Sequence, residues 1–356
     1  MLKPDASTPS VRPAQPGKVA WRAHALPIIM LLLLSPIIAE VLFGSTPLSA
    51  LYVLVPEIGV WGGGALIIRA LVRLRDRGWL SILLLGIALA LAEECIIQQT
   101  SLAPLVGTNP VHIYGRFLGV NWIYLLFQLG YESIWVVVLP IQLTELLFPT
   151  RRADPWVGPR GLIIAGIVFV LASFVAWYSW TQVARPLFHA PVYQPPLISV
   201  LIALLCIAAL AVAALGLPLP ARLTLPAARR APSPWLVGGT AFVFSLLWFV
   251  LVALAYNVDP ALPAVMAFCG GISWACTAWL VLTRWFVARG WHDLHRLALV
   301  FGACLASMSA GFVLHVVVLP IDVIGKLVLN VITVLWLSGL AFRMARRKED
   351  QSQTTL

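Results

Sequence analysis

Leu80 to Gln99 reads LSILLLGIALALAEECIIQQ, an apolar run with two adjacent carboxylates, Glu93 and Glu94, near its end. A run of this length matches the ~20 residues a helix needs to cross ~30 Å of hydrocarbon. In hydrocarbon the backbone must satisfy its own hydrogen bonds, so such a run is helical. The stretch therefore sets the expected fold class as all-α, a polytopic transmembrane helical bundle.

The rest of the chain agrees. Of 356 residues 61% are hydrophobic and only 11% charged, against about 25% charged in a soluble domain. The mean hydropathy is +0.94. The net charge of +10 does not point to nucleic acid as a partner, because the basic residues sit in tails and short loops, where they report topology. The lipid bilayer is the expected partner. Cys95, Cys206, Cys269, Cys276 and Cys304 all lie in apolar segments without metal-ligand spacing, and free Cys packs as a small hydrophobe. Neither disulfides nor a Cys-held metal is expected.

Residues 1–22 are polar and Pro-rich and read as a disordered tail. Ten spans come next, at 25–43, 48–71, 79–98, 121–147, 161–182, 197–216, 235–256, 261–284, 294–318 and 323–342, together a transmembrane domain over 23–342, with a basic tail at 343–356. Arginines in the loops 72–78, 148–160, 217–234 and 285–293 fall on the same side as both tails. The positive-inside rule makes that side, and both termini, cytoplasmic, with a prokaryotic cytoplasmic membrane as the expected location. Trp61, Trp79, Trp122, Trp156, Trp180, Trp235, Trp285 and Trp291 include many at span ends, as lipid anchors would be. VVVLPI occurs twice, at Val136–Ile141 in the fourth span and Val316–Ile321 near the end of the ninth. An offset of five spans is that of an inverted repeat. Pro140 predicts a kink.

With topology set, the polar residues within the spans become informative. Glu40, Glu57, Glu93, Glu94 and Glu132 all fall in the middle or outer half of the first four spans, within 25–147. A charge at the bilayer centre costs about 2.5–3.5 kcal/mol on insertion scales, so buried acids face partners or water. The clustering predicts a polar pocket open to the outside, with His112, Arg116, Asn121, Gln98, Gln99, Gln128, His315 and Asp322 as candidate partners. Glu40 and Glu57 have a structural alternative, as protonated acids bonded to carbonyls freed by Pro36 and Pro56. Glu145 is expected to pair with Arg151 and Arg152 at the inner interface. The long connection from Gln99 to Val120, which holds His112, is of a kind often functional. Gly62-Gly63-Gly64 reads as close helix packing.

The Glu93-Glu94 pair resembles the CPBP family, the CAAX-processing and bacteriocin-processing intramembrane proteases, whose members carry Glu-Glu-x-x-x-Arg on one helix and Phe-x-x-x-His on a following one. Here the first motif ends in Gln98 rather than Arg, and the second runs from Phe127 to Tyr131, with Glu132 next. A further histidine is available only at His315. The resemblance implies a glutamate-dependent endopeptidase acting on a membrane-protein or peptide substrate, with Glu93, Glu94 and Glu132 catalytic and His112, Gln98, Tyr131, His315 and Glu57 supporting. It also allows an inactive relative of such an enzyme. A carboxylate-lined proton or cation path in a transporter or channel-like protein is the alternative, and a structural subunit without chemistry a third. The acids suit a hard divalent cation, but the sequence fixes no ligand count and specifies no cofactor or oligomeric state.

Overall fold

The computed structural model describes residues 19–108, 113–217, 230–257, 261–314, 316–317 and 319–354. It is an all-α bundle of apolar helices, and among the described residues nine are long and apolar enough to cross a membrane. In chain order the helices are α1 (Val19–Pro36, continued by a π-helical turn at Ile37–Val41), α2 (Leu48–Leu74), α3 (Trp79–Ile97), α4 (Trp122–Leu147) and α5 (Pro159–Leu187). They continue as α6 (Leu197–Gly216), α7 (Pro234–Ala255), α8 (Ala264–Phe286), α9 (Asp293–Val313) and α10 (Pro320–Thr354). Each of the ten expected spans contains a helix, although the ninth ends at Val313 rather than at 318 and the apolar part of α1, Ala25–Val41, is shorter than the other nine. This is a multi-pass membrane protein.

Burial separates the helices into two classes. More than half of the apolar stretch of α2, α3, α4 and α9 is buried, whereas α5 buries 6% and α6 and α8 each bury 11%. The first group forms the core, and the second turns Leu, Ile, Val and Phe outward, as a lipid-facing layer does. α7 packs along α9, α3 along α6 and α4, and α1 against α2 and α4. A buried aromatic column of Phe127, Tyr131 and Trp135 on α4, with Phe249 on α7, fills the centre.

The Arg-bearing loops meet at one end of the bundle. Arg77 donates to the carbonyls of Leu215 and Leu217, Arg152 to Asp293, and the Ala231 N–H to the Arg289 carbonyl. Arg152 is thereby held charged, its pKa raised above the ordinary arginine value by its hydrogen bonds to Asp293. Glu145 lies at this end too, but its partners are Arg69 at 3.0 Å and Arg73 at 2.8 Å, not the expected Arg151 and Arg152. The turn at Phe148–Arg152 leads the chain away from α4, while the last turns of α2 run beside it. Trp156 is buried under Arg69, 3.3 Å from ring centroid to guanidinium carbon. Trp61 is likewise buried in the core, so these two are packing residues rather than lipid anchors.

Close packing explains Gly62, where a Cβ would run into the backbone of Leu32 on α1. Gly64 similarly makes room for Leu89. The VVVLPI copies occupy different settings. Val136–Ile141 is mid-helix in α4, whereas α9 ends at Val313 and α10 begins at Pro320, which leaves the second copy across the link between them. α10 stays helical from Arg343 through the basic segment to Thr354, and α1 begins at Val19, inside the segment expected as a tail. Residues 1–18 lie outside the described residues. The five cysteines are free thiols, Cys95 and Cys304 buried, Cys206, Cys269 and Cys276 exposed on α6 and α8.

Candidate functional site

Four helices bring the acids together through one recurrent device, a π-helical turn. Glu40 lies in the turn Ile37–Val41, Glu57 immediately precedes Ile58–Gly62, Glu93 and Glu94 open Glu93–Ile97, and Glu132 opens Glu132–Val138. The i to i+5 bonds are explicit, with the Leu42 N–H on the Ile37 carbonyl at 3.0 Å and the Gln98 N–H on the Glu93 carbonyl at 2.8 Å. Such turns are rare and concentrate at functional sites. One extra residue rotates the remainder of the helix by about 100°, so each turn re-aims the helix at its acid.

In the α4 turn the cause is legible. Pro140 has no N–H to give the Val136 carbonyl, and Ser35 Oγ of α1 supplies the donor at 2.6 Å. The expected disturbance at Pro140 is thus absorbed by a π-helical segment and a neighbouring hydroxyl.

Glu93 and Glu94 are 1% and 2% exposed. Successive helical residues point about 100° apart, so both are buried only because α3 is enclosed by α2, α4, α5 and α6. Glu94 is the best-held acid. It accepts from Ser101 Oγ at 2.7 Å and from Gln128 Nε2 at 2.7 Å, and the Glu132 carboxyl is its neighbour across α3 and α4. A carboxylate has no donor, so two such carboxyls can hydrogen-bond to one another only with a proton on one of them.

Glu93 lies beside Glu94, with Glu40 and Glu57 as further electrostatic neighbours. The Gln98 side chain approaches its carboxyl, but neither Glu93 oxygen reaches good hydrogen-bond geometry with a described partner. Glu40 accepts from Ser45, and Glu57 from Thr46 at 2.5 Å. Hydroxyls of the link between α1 and α2 therefore serve these two acids. No described Arg, Lys or His forms an ion pair with any of the five.

The described parts of the connection between α3 and α4, residues 99–108 and 113–120, pack beside the site. β1 (Arg116–Phe117) and β2 (Val120–Asn121) form a short antiparallel hairpin, turned by Leu118 and Gly119, both at positive φ as such two-residue turns require. Asn121 is 1% exposed and donates to the carbonyls of Thr100 and Ala103 at 2.9 and 2.7 Å. Arg116 bonds the carbonyls of Leu102 and Ala103 and the Asn121 amide oxygen. Both residues, expected as partners of the acids, hold this buried loop in place. That satisfies irregular backbone at a depth where water is scarce, and it sets Ser101 against Glu94.

The other sequence candidates divide. Gln128 joins the site and also bonds the Tyr124 hydroxyl at 3.2 Å. Tyr131 stands next to Glu132, but its hydroxyl donates to the Ala39 carbonyl and its ring stacks between Phe127 and Trp135. The Gln99 side chain donates to the Ile96 carbonyl. Asp322 binds Ser49, accepting from its N–H at 2.9 Å and its hydroxyl at 2.8 Å. His112 and His315 lie outside the described residues.

Asp322 heads a polar row along α10 whose other members, Lys326 and Asn330, are not among the sequence candidates. Asp322, Lys326 and Asn330, four residues apart along α10, are all buried. Lys326 Nζ donates to the Met308 carbonyl at 2.9 Å and lies 3.5 Å from the Phe312 ring centroid. The i, i+4, i+8 spacing in an apolar helix was the available signal. Toward the opposite, Arg-bearing end, the acids meet a dry block. Leu31, Ile82, Val136, Val137 and Ile141 are fully buried, and the hydroxyls of Ser35, Ser81 and Thr144 there are bonded to backbone carbonyls. Among the described residues no group of three or more His, Cys, Asp or Glu is arranged to hold a metal. No family model matches the chain, and no curated protein or solved structure does so.

Proposed function

We propose that the chain is an intramembrane hydrolase of peptide bonds in which Glu94 and Glu132 act as a proton-sharing carboxyl pair. The juxtaposition of their carboxyls across α3 and α4 is the observation that carries this reading. Two carboxyls that share one proton supply a base and an acid at once, as in the aspartic-protease dyad. The ionised member takes a proton from water as its oxygen bonds to the peptide carbonyl carbon, and the protonated member gives its proton to the carbonyl oxygen. Collapse breaks the C–N bond as the proton first taken from water passes to the leaving amine and one hydroxyl proton of the diol returns to the other carboxylate, which restores the shared proton. The products are a carboxylic acid and an amine, with no other reactant. Glu132 takes the place of the histidine that the resemblance to CPBP proteases leads one to expect, and Gln128 and Ser101 orient Glu94. By the positive-inside rule the Arg-bearing end is cytoplasmic, and the acids are reached from the far side of a prokaryotic cytoplasmic membrane.

A proton or cation path is the second reading. The observation in its favour is a cavity of about 10 Å³, a space on the scale of one water, with Thr46, Asp322 and Lys326 in its wall, where Thr46 also donates to Glu57. The dry block below the acids counts against a continuous path.

The test uses full-length protein in proteoliposomes, assayed for cleavage of quenched-fluorescent transmembrane peptides and for proton flux with an internal pH dye. Glu94→Gln and Glu132→Gln are expected to lower cleavage by about 10²–10⁴-fold, the usual contribution of positioned acid–base groups. Proton flux that depends on Glu94 without any cleavage would replace hydrolysis with transport. Cleavage that survives both substitutions would overturn the pair.

A further inference from the structure

At the Arg-bearing end, far from the acids, α7, α9 and the turn between α8 and α9 enclose an open-mouthed cavity of about 450 Å³. That size falls within the range of small-ligand pockets. Its polar wall is Arg230, Arg289, His292 and His295.

The cavity is built rather than incidental. The Ala231 N–H donates to the Arg289 carbonyl at 2.9 Å, which ties its two rims together. Gly290, at φ +85°, makes the tight turn that brings Arg289 back toward α9. His295 is 3% exposed at the cavity floor, its ring stacked on Trp291 with centroids 4.9 Å apart and its Nε2 2.9 Å from the Pro232 carbonyl oxygen. The histidine cannot swing away without losing both contacts.

Charge is left over at this site. Neither Arg230 nor Arg289 forms an ion pair with a described carboxylate. Asp293, the acid at the start of α9, is already engaged, accepting from Arg152 at 3.1 and 2.6 Å and lying 3.6 Å from Arg296. Two guanidinium groups thus line a concave wall without a counter-charge among the described residues, a donor set suited to phosphate oxygens.

Depth identifies the source of the phosphate. The cavity opens at the ends of membrane-spanning helices, beside Trp291 and the 89%-exposed Trp235, a residue type that marks the headgroup level. α7 and α8, whose ends border it, turn apolar side chains such as Leu236 and Phe286 outward. Basic pockets between helix ends at this level hold anionic headgroups. We infer that the cavity formed by Arg230, Arg289, His292 and His295 binds the phosphate-bearing headgroup of an anionic phospholipid.

The experiment is native mass spectrometry and thermal unfolding of the full chain in detergent, with phosphatidylglycerol, phosphatidylcholine or inorganic phosphate added in turn. Phosphatidylglycerol should be retained through detergent removal and raise the unfolding temperature, while phosphatidylcholine and inorganic phosphate do neither. Arg230→Ala/Arg289→Ala should weaken retention at least tenfold, and Arg160→Ala, an exposed arginine at the same end of the bundle, should leave it unchanged. Should the double alanine variant not fold, Arg230→Gln/Arg289→Gln gives the same comparison. Equal retention by the double variant, or an equal loss in Arg160→Ala, would overturn the site. A shift with inorganic phosphate as large as with phosphatidylglycerol would overturn the lipid assignment.

Discussion

Arg69 is 1% exposed, and its guanidinium has a partner in every direction: Glu145, the carbonyls of Arg152 and Asp154, and the face of Trp156. An arginine can be buried this way only if each donor is used. Glu145 is the common acceptor for Arg69 and Arg73, so Glu145→Gln strips one counter-charge from two cations. The expected loss is about 3–5 kcal/mol, the cost of breaking a buried ion pair from one side, read as a lowered midpoint of unfolding in detergent. Replacement of Arg69 and Glu145 together by Met and Leu should cost less than Glu145→Gln alone, because the fully buried cation leaves with its acid and only the more exposed Arg73 loses its partner. The sequence signals that Glu145 needs a cation but not which one. Arg151 and Arg152 are nearer along the chain, yet Arg69 and Arg73, a turn apart on α2, are nearer in space.

At the scale of the element, α4 carries the most information. Its proline, its π-helical segment and the hydroxyl of Ser35 form one unit, since the Val136 carbonyl lost its usual donor to Pro140 and found another on α1. Ser35→Ala leaves that buried carbonyl unpaired and should destabilise the fold by about 1–3 kcal/mol. In a Pro140→Ala background, where a backbone N–H becomes available, the same substitution should cost less. A double-mutant cycle by chemical unfolding measures the difference, and equal costs in both backgrounds would reject the coupling. The proline and the acids are plain in the sequence, whereas the widened turns are not. They arise from where carbonyls find donors on other helices, information that no local window contains.

For the whole molecule, the apolar runs were sufficient to place the helices, because crossing hydrocarbon imposes length and helicity together. The gathering of Glu40, Glu57, Glu93, Glu94 and Glu132 followed from the alternation of ends, which puts those positions at similar depth. What pairs with what did not follow. The Glu94–Glu132 contact depends on the relative rotation of α3 and α4, and the Asp322–Lys326–Asn330 row on which face α10 turns inward. The VVVLPI echo shows the converse, since identical letters fall in mid-helix once and across a link the other time.

The outward-turned faces of α6 and α8 have a chemical consequence. Cys206, Cys269 and Cys276 are exposed on the apolar faces of these helices, which hydrocarbon covers in a bilayer and a charged reagent does not enter. In intact membranes they should resist a charged, water-soluble maleimide, and after solubilisation in denaturant all five cysteines should be alkylated. Rapid labelling of Cys206 in sealed vesicles would place α6 against water instead. The chain thus carries its own accessibility clock: the count of modified thiols records, without an added tag, how much of the bundle has left the bilayer.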